Sequence, residues 1–222
     1  MIFKENLQLN RYNWANKTLK NLIKDDNKVV SLFDIGSRDE ILKKYCEHPQ
    51  IKYTGFDLDP LSNNTRKWDI EQPFPYTDPK ADVITFLEVV EHLNNPWMSF
   101  KNLSNTLKPR GYLLLTTPNP TWSNSRVNLL FKGQLSCFTQ GDLDNNHHVF
   151  TPWPHILEKL LNDNGFKIIE YVTLDGNTNI FDKSLSPTKF PIQLGYRLIK
   201  KAIEIIDPRS RGMSYAILAQ KL

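Results

Sequence analysis

The sequence has little cysteine, no long apolar run and little net charge. Its 2 cysteines among 222 residues, Cys46 and Cys137, lie far apart without CxxC spacing, so neither a zinc knuckle nor a disulfide framework is predicted. No apolar run approaches the roughly 18 residues that span a bilayer, and the amino terminus lacks the pattern of a signal peptide. We therefore expect a cytoplasmic protein that forms one domain over residues 1–222.

The net charge of +4 is small, but the basic residues are unevenly placed. Residues 183–211 hold seven basic side chains against two acidic ones. A solvated helix face is the simplest explanation, and an anionic substrate or a peripheral membrane contact is the alternative. Within this segment, residues 193–206 carry apolar side chains at helical spacing, a stripe that is more typical of a core helix than of a membrane-facing one.

Short apolar runs alternate with helical stretches along the chain. The predicted strands are residues 29–35, 52–56, 83–87, 112–116, 166–173 and 213–220, and the predicted helices are residues 39–48, 96–107, 152–164 and 193–206. Residues 1–28 are expected to form an amino-terminal helical segment. Because β-α-β order implies a parallel sheet with helices on both faces, we predict an α/β fold. It is a Rossmann-like three-layer sandwich, whose seven-stranded, mostly parallel sheet ends in a carboxyl-terminal antiparallel hairpin.

Four short motifs follow one another along this pattern. They are LFDIGSRDE at residues 32–40, GFDLDP at 55–60, WDIEQPFP at 68–75 and LKPRGYLLLTTPN at 107–119. In this order they resemble the motifs of the class I S-adenosylmethionine-dependent methyltransferases, over nearly the whole chain from Val29 to Leu222. The resemblance implies S-adenosyl-L-methionine as the cofactor, and such a ligand binds at the carboxyl ends of the parallel strands.

The motifs supply the candidate cofactor residues. Gly36 lets the backbone approach the ligand closely, and Asp57, at the end of an apolar strand, is placed to accept hydrogen bonds from both ribose hydroxyls. By resemblance, Asp69 accepts from the adenine amino group while Leu58 and Ile70 pack against the ring; a turn-capping role is the alternative for Asp69. The other candidates are Asp34, Ser37, Arg38 and Leu87.

The first motif holds one glycine where the family usually has three. Arg38 and Glu40 stand at the two later glycine positions. Arg38 either narrows the methionine end of the site or binds the cofactor carboxylate as a bidentate donor. We expect binding to be retained, because Gly36 and the acidic residues of the first three motifs remain together. A catalytically inactive binding protein with the methyltransferase fold is the alternative.

The string FLEVVEHL at residues 86–93 carries the candidate chemistry. If the chain becomes helical after the fourth strand, Glu88, Glu91 and His92 share one face of that helix. Two carboxylates with an imidazole suit a divalent cation. A fourth ligand is expected from the loop NNHHVF, with His148 as the better candidate and His147 as the second.

A second resemblance concerns this string. E-x-x-E-H followed by TPN and His-x-Phe is similar to the metal-assisted O-methyltransferases that modify the 2′-hydroxyl of small RNA ends, and in part to those of quinone biosynthesis. It implies Mg²⁺ or Mn²⁺ held by Glu88, Glu91, His92 and His148, which lowers the pKa of a substrate hydroxyl. Without a metal, Glu88, His92 and His148 are the catalytic candidates, with either histidine as the base. Solvated or capping acids are the alternative for Glu88 and Glu91.

Residues 121–150 lie where the family commonly places substrate-recognition insertions. Aromatic and basic side chains are interspersed here and suit a sugar, a base or a quinone ring equally well. They are Trp122, Arg126, Phe131, Lys132 and Phe138, with Trp153 just beyond. TPNPTWSNSR followed by HHVF also resembles methyltransferases of bacterial surface-sugar pathways, and no basic stripe outside 183–211 supports RNA. We expect a small-molecule or glycan hydroxyl as the acceptor, with RNA less favoured.

Overall fold

A computed structural model of the protein describes residues 2–23, 29–176 and 190–222. Its helices are α1 (Arg11–Leu22), α2 (Ile41–Tyr45), α3 (Pro96–Thr106), α4 (Ser123–Lys132), α5 (Gln140–Asn146), α6 (Pro154–Asp163) and α7 (Phe190–Ile206). Its strands are β1 (Ile2–Glu5), β2 (Val30–Ile35), β3 (Ile51–Asp57), β4 (Arg66–Lys67), β5 (Ala81–Leu87), β6 (Leu107–Pro118), β7 (Phe166–Leu174) and β8 (Ser214–Lys221). Short 3₁₀ helices cover Val90–His92 and Pro208–Ser210.

The strands in the described ranges form one sheet in the order β1-β7-β8-β6-β5-β2-β3-β4. Neighbouring strands are parallel except where β8 runs antiparallel to both β6 and β7. The predicted α/β class and the carboxyl-terminal antiparallel hairpin are thus confirmed, but the sheet has eight strands rather than seven.

An additional strand lies at the amino-terminal end of the chain. Residues 1–28 were expected to be helical, and α1 does form there, but Ile2–Glu5 pairs in parallel with β7 at the sheet edge. Lys4 forms an ion pair with Glu170 of β7, and the ring of Phe3 lies 6.1 Å from that of Tyr171. The strand is therefore stabilised by partners about 170 positions away in sequence, which a local pattern does not reveal.

Two hydrophobic clusters cover the two faces of the sheet. Successive residues of β2 point to opposite faces, so Leu32 joins one cluster with Trp14 of α1, whereas Phe33 joins the other with Phe100 of α3. Because both faces are covered, the central strands read as continuous apolar runs. This packing produces the predicted three layers.

Helix α2 is shorter than predicted. Residues 39–48 were expected to be helical, but the helix covers only Ile41–Tyr45. Its start is delayed because Glu40 takes a left-handed backbone in the preceding turn. At the other end, Pro49 disfavours a helical conformation of His48.

The order of the sheet reverses at β2. From β2 the chain moves to β3 and β4 on one side, and it then crosses to form β5 on the other side of β2. In open α/β sheets, ligands bind in the crevice at the carboxyl ends of the strands where this reversal occurs. The turn that follows β2 and the turn that follows β5 therefore form the two sides of the expected site.

Candidate active site

The two turns of the crevice touch each other at Gly36. Its φ is +82°, and a Cβ atom added there would lie 2.3 Å from Cγ2 of Val89, in the turn after β5. A φ in this range is strained for any residue with a side chain, and the space is already filled. Glycine is thus required at this position for both conformation and packing.

The turn after β2 keeps a glycine-like backbone even though glycine is absent from its later positions. Arg38 has φ 34° and Glu40 has φ 58°, both in the left-handed region. Glu40 is held there by Lys43, whose Nζ lies 3.0 Å from Oε1, and by Ser62, whose hydroxyl donates to Oε2 at 2.8 Å. Arg38 is exposed. The substitutions therefore preserve the shape of the turn.

Asp57 links the first two motifs. Its Oδ2 accepts a hydrogen bond from the backbone N–H of Arg38 at 2.9 Å, and its Oδ1 accepts from the N–H of Asp59 at 2.8 Å. Each carboxylate oxygen can accept two hydrogen bonds, so both oxygens keep capacity for a diol. The half-buried Asp57 thus fits the ribose-binding role predicted for it.

Asp34 lies beneath the turn, inside the sheet. It is 4% exposed and accepts hydrogen bonds from the hydroxyl of Tyr53 on β3 and from Oγ1 of Thr85 on β5, each at 2.7 Å. Burial raises its pKa to about 6, although both hydrogen bonds act in the opposite direction. Asp34 therefore ties β2 to its two neighbours below the crevice.

The backbone of the turn is also tied to β3. The N–H groups of Gly36 and Ser37 both donate to the carbonyl of Phe56, at 2.8 and 3.1 Å. The buried hydroxyl of Ser37 lies 3.3 Å from Oγ1 of Thr65. These bonds fix the path of the turn before any ligand binds.

The adenine-side candidates differ in their surroundings. Ile70 is buried and its carbonyl accepts a hydrogen bond from Nδ2 of Asn102 at 2.8 Å, and Leu87 is also buried. Leu58 is 62% exposed, which leaves an apolar side chain for a ring to cover. Oδ1 of the half-buried Asp69 accepts from the N–H of Glu71 at 2.9 Å, so Asp69 does cap a turn.

The chain after β5 does not form the predicted α-helix. The N–H of Glu88 donates to the carbonyl of Thr116 at 2.9 Å and so extends the ladder between β5 and β6. Glu88 then takes a φ of 55°, and only a 3₁₀ helix follows, at Val90–His92. The expectation that Glu88 and Glu91 share one helical face was therefore wrong. Glu88 instead lies 3.9 Å from the guanidinium of Arg11, at the start of α1.

Three of the four predicted metal ligands nevertheless come together. One ligand atom each from Glu91, His92 and His148 lies within 4.8 Å of the other two, and within the described ranges Glu88 does not belong to this cluster. The rings of His92 and His148 are nearly perpendicular, with centroids 4.9 Å apart. His147, the second candidate, is exposed and lies outside the cluster.

Backbone contacts bring His148 to this position. His147 ends α5 with a left-handed φ of 57°, which turns the chain back, and the N–H of Phe150 donates to the carbonyl of Glu91 at 3.0 Å. Nδ1 of His148 lies 2.6 Å from the carbonyl oxygen of Cys137. Since a carbonyl only accepts, Nδ1 carries the proton, and the lone pair of Nε2 is left for a ligand or a substrate proton.

The carboxylates near this cluster are costly to ionise. Glu91 is 1% exposed, and burial, together with the charge of Glu88, raises its pKa well above the usual value. Burial also raises the pKa of Glu88 to about 7, against the effect of Arg11. Burial and the neighbouring His148 lower the pKa of His92, which favours its neutral form. One buried carboxylate beside two imidazoles is a donor set that fits a divalent cation.

Two neighbours of the cluster were not identified from the sequence. Oγ1 of Thr117 donates to Oε2 of Glu91 at 2.9 Å, and Arg11 provides the positive charge nearest Glu88. Thr117 lies in the motif LKPRGYLLLTTPN, so the sequence did indicate that the end of β6 borders the site. Arg11 offered none, because 77 positions separate it from Glu88.

The predicted recognition insertion forms α4 and α5. Of its aromatic residues, Phe138 approaches the cluster, with its ring centroid 5.8 Å from that of His148. Trp122 and Arg126 are instead used in packing against the carboxyl-terminal segment. Nζ of Lys200 lies 5.3 Å from the centroid of Trp122, and Arg126 forms an ion pair with Asp207.

Solved structures with this fold include methyltransferases from an archaeon and a bacterium. A SAM-dependent methyltransferase from Archaeoglobus fulgidus is 19% identical with a TM-score of 0.60, over 95% of this chain and 94% of that chain. An S-adenosylmethionine-dependent methyltransferase from Mesorhizobium loti is 12% identical with a TM-score of 0.54, over 95% and 98% of the two chains.

The cyclase SpnF also shares the fold, with 16% identity and a TM-score of 0.55 over 94% of this chain and 82% of that chain. At these identities the similarity establishes the fold alone. No curated protein matches the sequence.

The sequence itself matches a family model. The methyltransferase domain model covers residues 5–171, which include the turn after β2, Asp57 and the cluster of Glu91, His92 and His148. The chain therefore belongs to the methyltransferase domain family, and this membership supports S-adenosylmethionine as its methyl donor.

Proposed function

We propose that the protein transfers the methyl group of S-adenosylmethionine to a hydroxyl of a small molecule or glycan. The observation that carries this proposal is the convergence of Glu91, His92 and His148 beside the crevice between β2 and β5. A hydroxyl needs a base or a cation to become a good nucleophile at neutral pH. The cluster supplies groups suited to either role.

The turn after β2 would hold the donor. Its preset backbone, with Gly36 against Val89, gives the cofactor a fixed surface, and Asp57 accepts from the ribose hydroxyls. Leu58, Asp69, Ile70 and Leu87 are proposed for the adenine side. Arg38, which is exposed at the rim, is proposed as a donor to the cofactor carboxylate.

For methyl transfer, the acceptor oxygen would have to lie in line with the sulfonium methyl group. Bound S-adenosylmethionine would supply the methyl group and keep the electron pair of the broken S–CH₃ bond on sulfur, and Nε2 of His148 would accept the hydroxyl proton. Cys137 supports this role, because its carbonyl holds the proton of Nδ1 and fixes the ring orientation. Phe138 beside the ring shields the reacting groups from water.

As the alternative to a His148 base, the same residues would hold a divalent ion. Glu91, His92 and His148 are the proposed ligands for Mg²⁺ or Mn²⁺, and a bound ion of this kind lowers the pKa of a hydroxyl. The buried carboxylate of Glu91 supports the fit, because a cation would offset the cost of ionising it. Two imidazoles favour Mn²⁺ over Mg²⁺, which prefers oxygen ligands.

The test is methyl transfer to a panel of sugar and phenol hydroxyls, measured as release of S-adenosylhomocysteine with and without Mn²⁺ or a chelator. Removing the base or its neighbour, by His148→Ala or Glu91→Gln, is expected to lower the rate by about 100-fold. The matched control is His147→Ala, which should leave the rate unchanged. An unchanged rate in His148→Ala would contradict the proposal, and loss of activity with chelator would favour the metal over the base.

A further inference from the structure

Helix α7 turns an apolar face outward. The exposed apolar side chains include Leu194, Leu198 and Ile205, which recur at spacings of four and seven and so share one face. Ile199 and Ile206 widen this face, and Ile206 is 83% exposed. The sequence suggested that the apolar stripe of this helix belongs to the core. The structure places the stripe on the surface instead.

The polar face of α7 holds the helix to the protein. The hydroxyl of Tyr196 bonds to the side-chain oxygens of Asn124 and Asn128 on α4. Further along, Oε1 of Glu204 accepts from the hydroxyl of Ser123 at 2.7 Å. The helix is thus anchored by hydrogen bonds on its inner side, and the described part of the chain does not cover its apolar side.

Helix α4 extends the same surface. Tyr196 bonds to Asn124 and Asn128 and Glu204 bonds to Ser123, so α7 packs against α4. The last turn of α4 exposes Leu130 and Phe131, 70% and 63% respectively. We name the exposed apolar residues of α4 and α7 the α4–α7 surface: Leu129, Leu130, Phe131, Leu194, Leu198, Ile199, Ile205 and Ile206.

The charges that border this surface are basic. Helix α7 carries Arg197, Lys200 and Lys201 against Glu204, and α4 adds the exposed Lys132. The Glu204 side chain is only 15% exposed and is turned toward Ser123, with Lys200 and Lys201 at 3.9 and 4.0 Å. No exposed acid therefore lies on either helix. Lys183 and Lys189, which contribute to the basic segment 183–211, lie outside the described residues.

The geometry points to an anionic lipid membrane as the partner: we propose that α7 lies in the plane of the bilayer interface and inserts the α4–α7 surface between the headgroups. An amphipathic helix with an apolar face and bordering lysines binds such interfaces. At 17 residues α7 is about 25 Å long, in keeping with an in-plane position. None of the helices in the described ranges combines the length and the apolar content to cross a bilayer.

A second copy of the chain is a poorer fit. A two-fold dimer through this surface would bring Lys132 and Lys201 toward the same lysines of the other copy, with no exposed acid of α4 or α7 between them. Anionic lipid removes that repulsion. This inference is independent of the proposed methyl acceptor.

The experiment is co-sedimentation of the full chain with vesicles. Binding is expected with mixed phosphatidylglycerol and phosphatidylcholine, and weaker binding with phosphatidylcholine alone or at high salt. Leu198→Ser and Ile205→Ser should each lower the partition coefficient by about tenfold. Lys201→Glu should weaken binding to the anionic vesicles alone. The matched control is Leu222→Ser. Leu222 is also an exposed apolar residue, but it follows the carboxyl-terminal end of β8 and does not belong to the α4–α7 surface.

Two results would overturn the proposal. One is equal or absent sedimentation with anionic and neutral vesicles. The other is a dimer in light scattering that Leu198→Ser dissociates, which would assign the surface to a second copy. Because the substituted side chains are exposed, the variants should keep the wild-type melting temperature, and that measurement shows that each variant is folded.

Discussion

The hydroxyl of Thr117 donates a hydrogen bond of 2.9 Å to Oε2 of Glu91. Both side chains are buried, so the end of β6 orients a carboxylate that belongs to the 3₁₀ helix after β5. The other oxygen of Glu91 lies 3.9 Å from Nε2 of His92. Thr117 is therefore a positioning residue for the cluster of Glu91, His92 and His148.

Replacing Thr117 by valine tests this role. Thr117→Val keeps the shape of the side chain but removes the donor, so Glu91 loses its orientation. We expect about a tenfold weaker affinity for Mn²⁺, since partners of metal ligands typically have effects of this size. The affinity for S-adenosylhomocysteine should not change. Calorimetric titration measures both values.

Thr173→Val is the matched control, because the buried hydroxyl of Thr173 has no hydrogen-bond partner among the described residues. It should leave the Mn²⁺ affinity at the wild-type value. Equal Mn²⁺ affinity in wild type and Thr117→Val would remove Thr117 from the site.

Gly36→Ala should lower the free energy of unfolding by about 3 kcal/mol, because strain at positive φ adds to a collision with Val89. Gly165→Ala is the control: its φ is +78°, but no atom of the described residues lies within 4 Å of an added Cβ, so about 1 kcal/mol is expected. Denaturant unfolding measures both.

The double variant Gly36→Ala with Val89→Ala isolates the collision. If the two turns touch as described, Val89→Ala should cost less in the Gly36→Ala background than in the wild type. If the losses in unfolding free energy of the two single variants simply add in the double variant, the contact between Gly36 and Val89 is contradicted.

Asp34 should make the free energy of unfolding depend on pH. Its pKa is about 6 in the folded protein and near 3.8 in the unfolded chain, so the folded state binds the proton more tightly. The resulting stabilisation is complete below pH 3.8 and is lost as the pH rises through about 6. The difference between the two values corresponds to about 3 kcal/mol.

The measurement is urea unfolding of wild type and Asp34→Asn between pH 4.5 and 8. The amide keeps an acceptor for Tyr53 or Thr85 but does not titrate. The wild type should therefore lose stability relative to the variant as the pH rises. Parallel curves would show that Asp34 does not have a raised pKa.

Most of the sheet could be predicted from the sequence, because each central strand is a short apolar run bounded by turn residues. The run VVSLFDI predicted β2, and the motif GFDLDP predicted that Asp57 ends β3. Strand β1 was missed, because its four residues, IFKE, hold two adjacent apolar side chains and show no alternation. Its stability comes from β7, far along the chain.

The site could be predicted only in part, for two physical reasons. The spacing of Glu88, Glu91 and His92 suggested a helix after β5. Instead, Glu88 bonds to β6 through its backbone N–H and has a positive φ, and this backbone path separates Glu88 from Glu91. For α7, periodicity shows that an apolar face exists but not which way it points. That direction is set by two contacts with α4: Tyr196 donates to Asn128, and Glu204 accepts from Ser123.

The most direct test of the account is a calorimetric titration of the wild type and of Asp57→Ala with S-adenosylhomocysteine. The wild type should bind with one site, and the loss of a carboxylate that accepts from two hydroxyls should weaken binding by about 100-fold. Asp59→Ala, which keeps its backbone N–H bond to Asp57, should bind like the wild type. No binding by the wild type at millimolar ligand, or equal binding by Asp57→Ala, would contradict the placement of the cofactor at the turns after β2 and β3.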